Sequence, residues 1–477
     1  MKRNLLIISA FVIILGACKK DIQNLNDQTK KPTEVPPPSL FANAQKNLVD
    51  IMTSSSVNYN IFRLVTQQWT ETTYTDESNY DLTTRNIPQS LWNTLYRDII
   101  KNLQETKRTI PSQDPQFNSA AQLKNQLAVT DIMQVYAYAI LVNTFGNIPY
   151  TQALDINTLL PKYDDAKTVY YDLLNRLDTS LAALNTSAGS FGASDGLYGG
   201  DVSKWVTFGN SLKLRLGIII ADYDPAKAKT VIEAAAPNAM KSNADNAVFK
   251  YKEAPPNTNP IWVDLVQSGR HDFVAASTLV DTMKTLSDPR VAQYFSTDKT
   301  GGYSGGTPGD GNSFSQFSTA SDKMLLPNFE ALLMDYAEVE LILAEAAERG
   351  FNVGGTAQSH YNAGVTASIS YWGGSAADAA TYLSGVNVNY MTAQGDYKAK
   401  IGSQKWIAQY NRGFEAWTDI RRLDHPQLPA PVDPVSGFPV RYTYPAQEQT
   451  LNNANYKSAS TAIGGDAVTT KLFWDLY

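Results

Sequence analysis

The chain has 477 residues, with 40 Lys and Arg against 46 Asp and Glu, a net charge of −6 and a single Cys. With no long basic stretch, nucleic acid is not an expected partner, and one Cys excludes intrachain disulfides and multi-thiolate metal sites. The 26 Tyr, 17 Phe and 8 Trp, beside only 18% charged residues, suit surfaces for neutral polar ligands, although most such rings belong in a core.

Met1, Lys2 and Arg3 form a basic start, and the apolar run Leu5 to Leu15 follows. That run is about half the roughly 20 residues a membrane-spanning helix needs, and it has the length of a signal h-region. Leu15-Gly16-Ala17-Cys18 resembles the bacterial lipobox, in which a cysteine is lipidated on its thiol and then becomes residue one. Residues 1–17 are therefore read as a lipoprotein signal peptide, Cys18 as the lipidation site, and residues 18–38 as the lipidated Cys and a tether. Pro32, Pro36, Pro37 and Pro38 keep that tether extended, and it lacks the apolar residues that folding requires.

From Ser39 onward helical periodicity dominates. Helices are expected over Leu40 to Met52 and Leu91 to Lys107. The next passes through Ala128, Ile132, Val135, Ala139 and Val142 and stops at Gly146. Asp164 or Asp165 caps the following helix, whose stripe is Tyr170, Leu173, Leu174, Leu177 and Leu181. Further helices follow through Trp205, Phe208, Leu212, Leu216 and Ile219, over Pro225 to Ala236, and over Ala275 to Leu286. The last three are Phe329 to Ala347, closed by Arg349 and Gly350, then Ala357 to Tyr371, and Gln404 to Trp417. The class is mainly α, with helix pairs that suggest tetratricopeptide-like hairpins without a clean repeat of about 34 residues. The helical scaffold covers about 39–250 and 329–420 of one domain, 39–477. Loop-rich parts lie at about 66–88, 251–328 and 421–477, and loops this long inside a domain are usually functional.

Order and spacing along the mature chain then meet a known pattern. The marks are Leu91-Trp92-Asn93 with Tyr96; Thr144-Phe145-Gly146-Asn147-Ile148-Pro149-Tyr150; Lys204-Trp205 through Leu212-Lys213-Leu214-Arg215-Leu216; and Asp288-Pro289-Arg290. Tyr336-Ala337-Glu338-Val339-Glu340 with Leu343-Ala344-Glu345-Ala346 follows, then Gly413-Phe414-Glu415-Ala416-Trp417, Arg421-Arg422, and Arg441-Tyr442 with Tyr444-Pro445. Together, behind a lipobox, they resemble the SusD/RagB family, surface lipoproteins of Bacteroidetes that work with TonB-dependent transporters. The resemblance implies a SusD-like helical fold with four tetratricopeptide-like helix pairs and long irregular ligand-binding loops. It also implies a SusC-like TonB-dependent transporter as partner, membrane contact through the lipid anchor, and a place on the outer membrane facing outward. Asp21 supplies one acid of the run that surface-exported lipoproteins of these bacteria carry after the cysteine.

The chemistry points to binding. Tyr336, Glu338, Glu345 and Arg349 are read as helix packing and ion pairs, and Arg421 and Arg422 as partners of Glu415 or Asp419. Gly301 to Gly311 lacks the Gly-Lys-Ser/Thr ending of a phosphate loop. His271, His360 and His425 are too scattered for a zinc motif, and no cofactor or metal is expected. No His-Glu-x-x-His helix is present, and the expected function is not enzymatic. Sugar rings pack flat C–H faces on Trp or Tyr while Asn and Asp pair with hydroxyls. Trp69, Tyr74, Asp76, Asn79 and Tyr80, with Tyr294 and Tyr303, fit that description, although Trp69 and Tyr294 equally suit the core. The expected ligand is an oligosaccharide, the alternative a peptide. Less favoured alternatives are a lipoprotein glycoside hydrolase and a periplasmic tetratricopeptide-type scaffold.

Overall fold

The computed structural model describes residues 35–477; the signal peptide, Cys18 and most of the tether lie outside the described residues. Helix α1, Pro37–Thr53, opens with proline at its first turn, where the missing N–H is not needed. It buries Phe41, Ala44, Leu48 and Val49. Ile87–Asn93, a π turn over Thr94–Ile100 and Lys101–Thr109 run on as one rod, α2. Helix α3, Ala120–Phe145, starts where the Ser119 side chain accepts the Gln122 N–H, and it ends at Gly146 with φ +85°. Its length and composition would suffice to cross a membrane, yet 89% of its apolar window is buried inside the protein. It is the central core helix.

Around it stand α4 (Ala166–Ala183), capped by Asp165 on the Thr168 N–H, α5 (Val202–Ile219) and α6 (Pro225–Ala235). Beyond the middle region come α7 (Ser277–Thr285), α8 (Tyr336–Glu348), α9 (Ala357–Trp372), α10 (Ala376–Ser384), α11 (Tyr397–Ala408), α12 (Gly413–Leu423) and α13 (Asn453–Ala462). Four consecutive pairs pack together: α3 with α4, α5 with α6, α8 with α9, and α11 with α12. The fold is mainly α, as the periodicity implies.

Two expected helices are redrawn. The Phe329 to Ala347 stripe begins as a strand, β4 (Ala331–Met334), paired antiparallel with β2 (Ala247–Phe249), and the helix starts only after Asp335, whose side chain accepts the Glu338 N–H. The apolar residues Leu332 and Leu333 serve that ladder. Gln404 to Trp417 is broken between α11 and α12 at Asn411, which takes a left-handed φ of +67° that no helix interior tolerates.

The space between α5, α8, α11 and α12 is filled by ion pairs. Arg215 holds Glu338 at 2.6 Å, Arg412 holds Asp335 at 2.8 Å, and Lys405 and Arg422 share Asp419 at 2.9 and 2.8 Å. Arg422 and Arg349 share Glu345 at 2.5 and 2.9 Å. Burial opposes ionisation of Glu338 and Glu345, but the facing guanidiniums outweigh it and hold both carboxyls below their ordinary value. Arg421 lies 3.4 Å over the Trp417 ring and donates to the Asn143 and Val440 carbonyls. These groups are structural; removing one partner of such a pair strands the other in the core.

Candidate functional site

A two-stranded ribbon organises the loops. β1 (Trp69–Glu71) pairs antiparallel with β3 (Phe273–Ala275), setting Trp69 opposite Ala275 and Glu71 opposite Phe273. Thr72 extends the contact, its N–H donating to the Asp272 carbonyl and its hydroxyl to that of His271, at 2.8 and 2.7 Å. The glycine-rich segment is pinned by Asn312, whose Nδ2 donates to the carbonyls of Glu71 and Thr307 at 3.1 and 3.0 Å. Asn79 joins all three loop regions. Its Nδ2 donates to the Gly309 carbonyl at 2.8 Å and its Oδ1 accepts the Asp433 N–H at 3.0 Å. Gly309, at φ +82°, leaves no room for a side chain, since a Cβ there would lie 2.2 Å from Asn79 Oδ1.

Beside the ribbon lies a groove of about 270 Å³ floored by Trp69 and Phe273 and walled by Leu265, Val266 and Leu325. The Leu265 wall is fixed at its root, where Asp264 Oδ2 accepts the Ser54 and Ser55 hydroxyls at 2.9 and 3.1 Å at the end of α1. At the mouth, His271 and Phe314 stack with ring centroids 4.2 Å apart and planes 14° from parallel. Arg270 and Asp272 form an ion pair there. The groove thus offers an apolar floor, flat ring faces and a small number of charged hydrogen-bonding groups, the usual make-up of a small-molecule site.

The residues expected from sequence fall at different depths. Trp69 is 2% exposed; its Nε1 donates to the Tyr410 hydroxyl at 2.8 Å, and it meets the groove only as floor. Tyr294 is fully buried, stacked on Tyr410 at 4.2 Å, with its hydroxyl donating to the Ile407 carbonyl. Tyr80, 4% exposed, accepts from Gln67 Nε2 and packs edge-on to Phe438. These three are core residues and Asn79 is a buried tie, a correction to the open ring array that the loop composition suggests. Tyr74 is 74% exposed and stands in the turn two residues after Thr72, the residue tied to His271 and Asp272. Asp76 is exposed on the same loop, and Tyr303 is half-buried on the glycine-rich loop. Tyr303 does not line the groove. Sequence reading missed Arg270, His271, Asp272 and Phe314; the signal for Phe314 is a lone ring in Asn312-Ser313-Phe314-Ser315.

One titrating pair sits in the frame. Glu71 is pushed up to about 9, first by burial and then by the neighbouring Glu77 carboxyl, while Glu77 is raised by burial against the pull of Glu71 and Arg85. At neutral pH Glu71 is therefore the protonated partner, giving a hydrogen bond to Glu77 while its other oxygen accepts the Ser78 N–H at 2.9 Å. This bond ties the turn to the end of β1. Tyr74 and Tyr80 within that turn take φ of +54° and +67°, a strained backbone for residues other than glycine.

Comparisons with known proteins agree with this architecture. The model of a SusD-like family, described as starch-binding associating with outer membrane, matches residues 29–445. Among solved structures, a chitin-binding protein aligns with TM-score 0.80 and 28% identity over 92% of this chain and 100% of its own. A chitin-binding SusD homolog from Flavobacterium johnsoniae aligns with TM-score 0.77 and 26% identity, over 91% and 98%. A SusD homolog from Bacteroides uniformis gives 0.78 and 28%, over 92% and 99%. No curated protein sequence matches the chain.

Proposed function

We propose, from the premise that this chain belongs to the SusD-like family, that it is a non-catalytic outer-membrane lipoprotein that captures an oligosaccharide and delivers it to a SusC-like TonB-dependent transporter. The observation that carries the binding part is the groove over Trp69, with its His271–Phe314 stack and the Arg270–Asp272 pair at the mouth. A pyranose lays its C–H face on an aromatic plane, and its hydroxyls both donate and accept, so they need partners of both kinds nearby. Phe314, His271, Arg270 and Asp272 are the groups assigned to that task, with Tyr74 and Asp76 at the neighbouring turn and Tyr303 farther along the glycine-rich loop. Two structural relatives are chitin-binding by name, which favours an oligosaccharide over a peptide. The acid held protonated beside the groove, Glu71, is 3% exposed and so reaches no bond of a bound chain; this supports a binder over a glycosidase.

A glycan array probed with the purified mature chain tests the binding part. Saturable binding of an oligosaccharide, lost in Phe314→Ala, supports it, and binding that survives Phe314→Ala removes the groove from the proposal. The partnership is tested by mild-detergent pull-down through the lipoprotein. A lasting complex buries on the order of 2,000 Å², so a large β-barrel protein should be recovered; the lipoprotein alone under several detergents counts against it. Protease added to intact cells should clip an outward-facing chain.

A further inference from the structure

The third loop-rich part of the chain, 421–477, carries a pocket of its own. It measures about 270 Å³, the same as the groove over Trp69, and shares no lining residue with it. The pocket lies past the C-terminal end of α12, where Asp424 takes a left-handed φ of +56°. Ile420, Leu428, Phe438 and Val440 give it apolar walls. Tyr477, 65% exposed, is the ring at its rim, with Lys398 Nζ 4.5 Å over the ring. Walls of this kind suit a ligand with an apolar face.

Asp475 sets what else that ligand must carry. It lines the pocket and is 5% exposed; its Oδ1 accepts from Lys471 Nζ at 3.3 Å, and its buried Oδ2 has no hydrogen-bond partner among the described residues. Buried polar atoms are nearly always hydrogen-bonded, so Oδ2 is short of a donor. Arg421 is not that donor. Its guanidinium lies 3.4 Å over the Trp417 ring and 4.8 Å over the Trp474 ring, and it donates to the Trp417, Asn143 and Val440 carbonyls and to the Thr418 hydroxyl. Burial pushes the Asp475 carboxyl above its ordinary value, although Arg421 and Lys471 pull it down. In charge, Arg421 and Lys471 balance Asp424 and Asp475, the four charged residues of the lining. The pocket therefore favours no ion, and the donor that Oδ2 lacks belongs to a neutral group.

A hydroxyl fits that need. Asp424 and Asp475 only accept, while the exposed Lys471 and Gln427 can donate to the same ligand. Neighbouring hydroxyls on a ring both donate and accept, and the C–H face of that ring matches the apolar walls. We infer that this pocket is a second saccharide site, in which Asp475 takes a hydroxyl of one neutral sugar residue. It stands apart from the groove over Trp69 and does not depend on it.

Saturation-transfer NMR and titration of the mature chain with the methyl glycosides of glucose, galactose and mannose test the inference. Phe314→Ala protein is the host, so that binding in the other groove does not mask the result. At least one glycoside should saturate, and triglycine, which has backbone N–H donors but no hydroxyl, should not compete. Asp475→Asn keeps the shape and an oxygen for Lys471 but replaces the free acceptor by an NH₂, and it should weaken binding about tenfold, the effect of one hydrogen bond to a charged group. Tyr477→Ala, at an exposed position, should weaken it as well, and it decides the matter if Asp475→Asn does not fold. Absence of saturable glycoside binding in the Phe314→Ala host overturns the inference. Binding untouched by both substitutions, or displaced by triglycine, overturns it too.

Discussion

Truncating Phe314 and truncating Trp69 should separate recognition from folding. Phe314 is half-buried, and its loop is pinned by Asn312 to Glu71 and Thr307, so removing the ring leaves the backbone in place. The loss is the ring face and its stack on His271 at 4.2 Å. For a central aromatic contact that is about 1–3 kcal/mol of binding, a fall in affinity of roughly 5- to 150-fold, while a surface change moves stability by about 0.5 kcal/mol or less. Trp69 behaves in the opposite way. It is 2% exposed and gives its N–H to Tyr410, so Trp69→Ala opens a cavity and leaves the Tyr410 hydroxyl short of a donor, at about 3–5 kcal/mol. In a chain of this size that lowers the melting temperature on the order of 5 °C, with or without ligand. Titration calorimetry against a glycan identified on the array, together with scanning calorimetry of both variants, gives the four numbers required. Unchanged affinity in Phe314→Ala, or a Trp69→Ala protein that melts like wild type, would refute the assignment of the two rings.

Three further outcomes follow from the frame and the anchor. Glu71 has an ordinary value of 4.5 and a folded value of about 9, so folding takes up a proton between those limits and wild-type stability declines as pH rises through them. Glu71→Gln, which still donates to Glu77, should melt like wild type near pH 5 and above it near pH 8; parallel decline of both proteins in calorimetry would show that Glu71 is not the titrating group. Gly309→Ala should destabilise by about 1–3 kcal/mol, because a Cβ 2.2 Å from Asn79 Oδ1 at φ +82° forces apart the three loop regions that Asn79 joins; denaturant melts measure it, and a neutral result would mean the tie yields freely. Cys18→Ala should release the protein from membranes, since one sulfur is the expected attachment; a variant that still sediments with membranes in cells lacking its partner would end the lipobox reading.

What could be read from sequence divides along the range of the interactions involved. Helix α3 and its stop are local matters: a 3.6-residue stripe, Ser119 at one end and Gly146 at the other. The start of α8 is not a local matter, because Leu332 and Leu333 fit a helical stripe as well as a four-residue strand, and only pairing with β2, some 85 residues earlier in the chain, decides between them. Strand β1 is three residues long, too short to show alternation at all. The same limit governs the site. A Trp or Tyr among Thr, Asn and Asp reads as a ligand platform, but its depth is set by residues far away in sequence. Tyr410 decides two cases at once: it takes the Trp69 N–H from 341 residues away and stacks on Tyr294, drawing both rings inward. Nothing in the local sequence of either ring announces that partner. Among the described residues, Phe314 and Tyr74 lack such a partner. Phe314 stacks on His271 at the groove mouth and Tyr74 is 74% exposed, which makes the rings left without an interior partner there the ones assigned to the ligand.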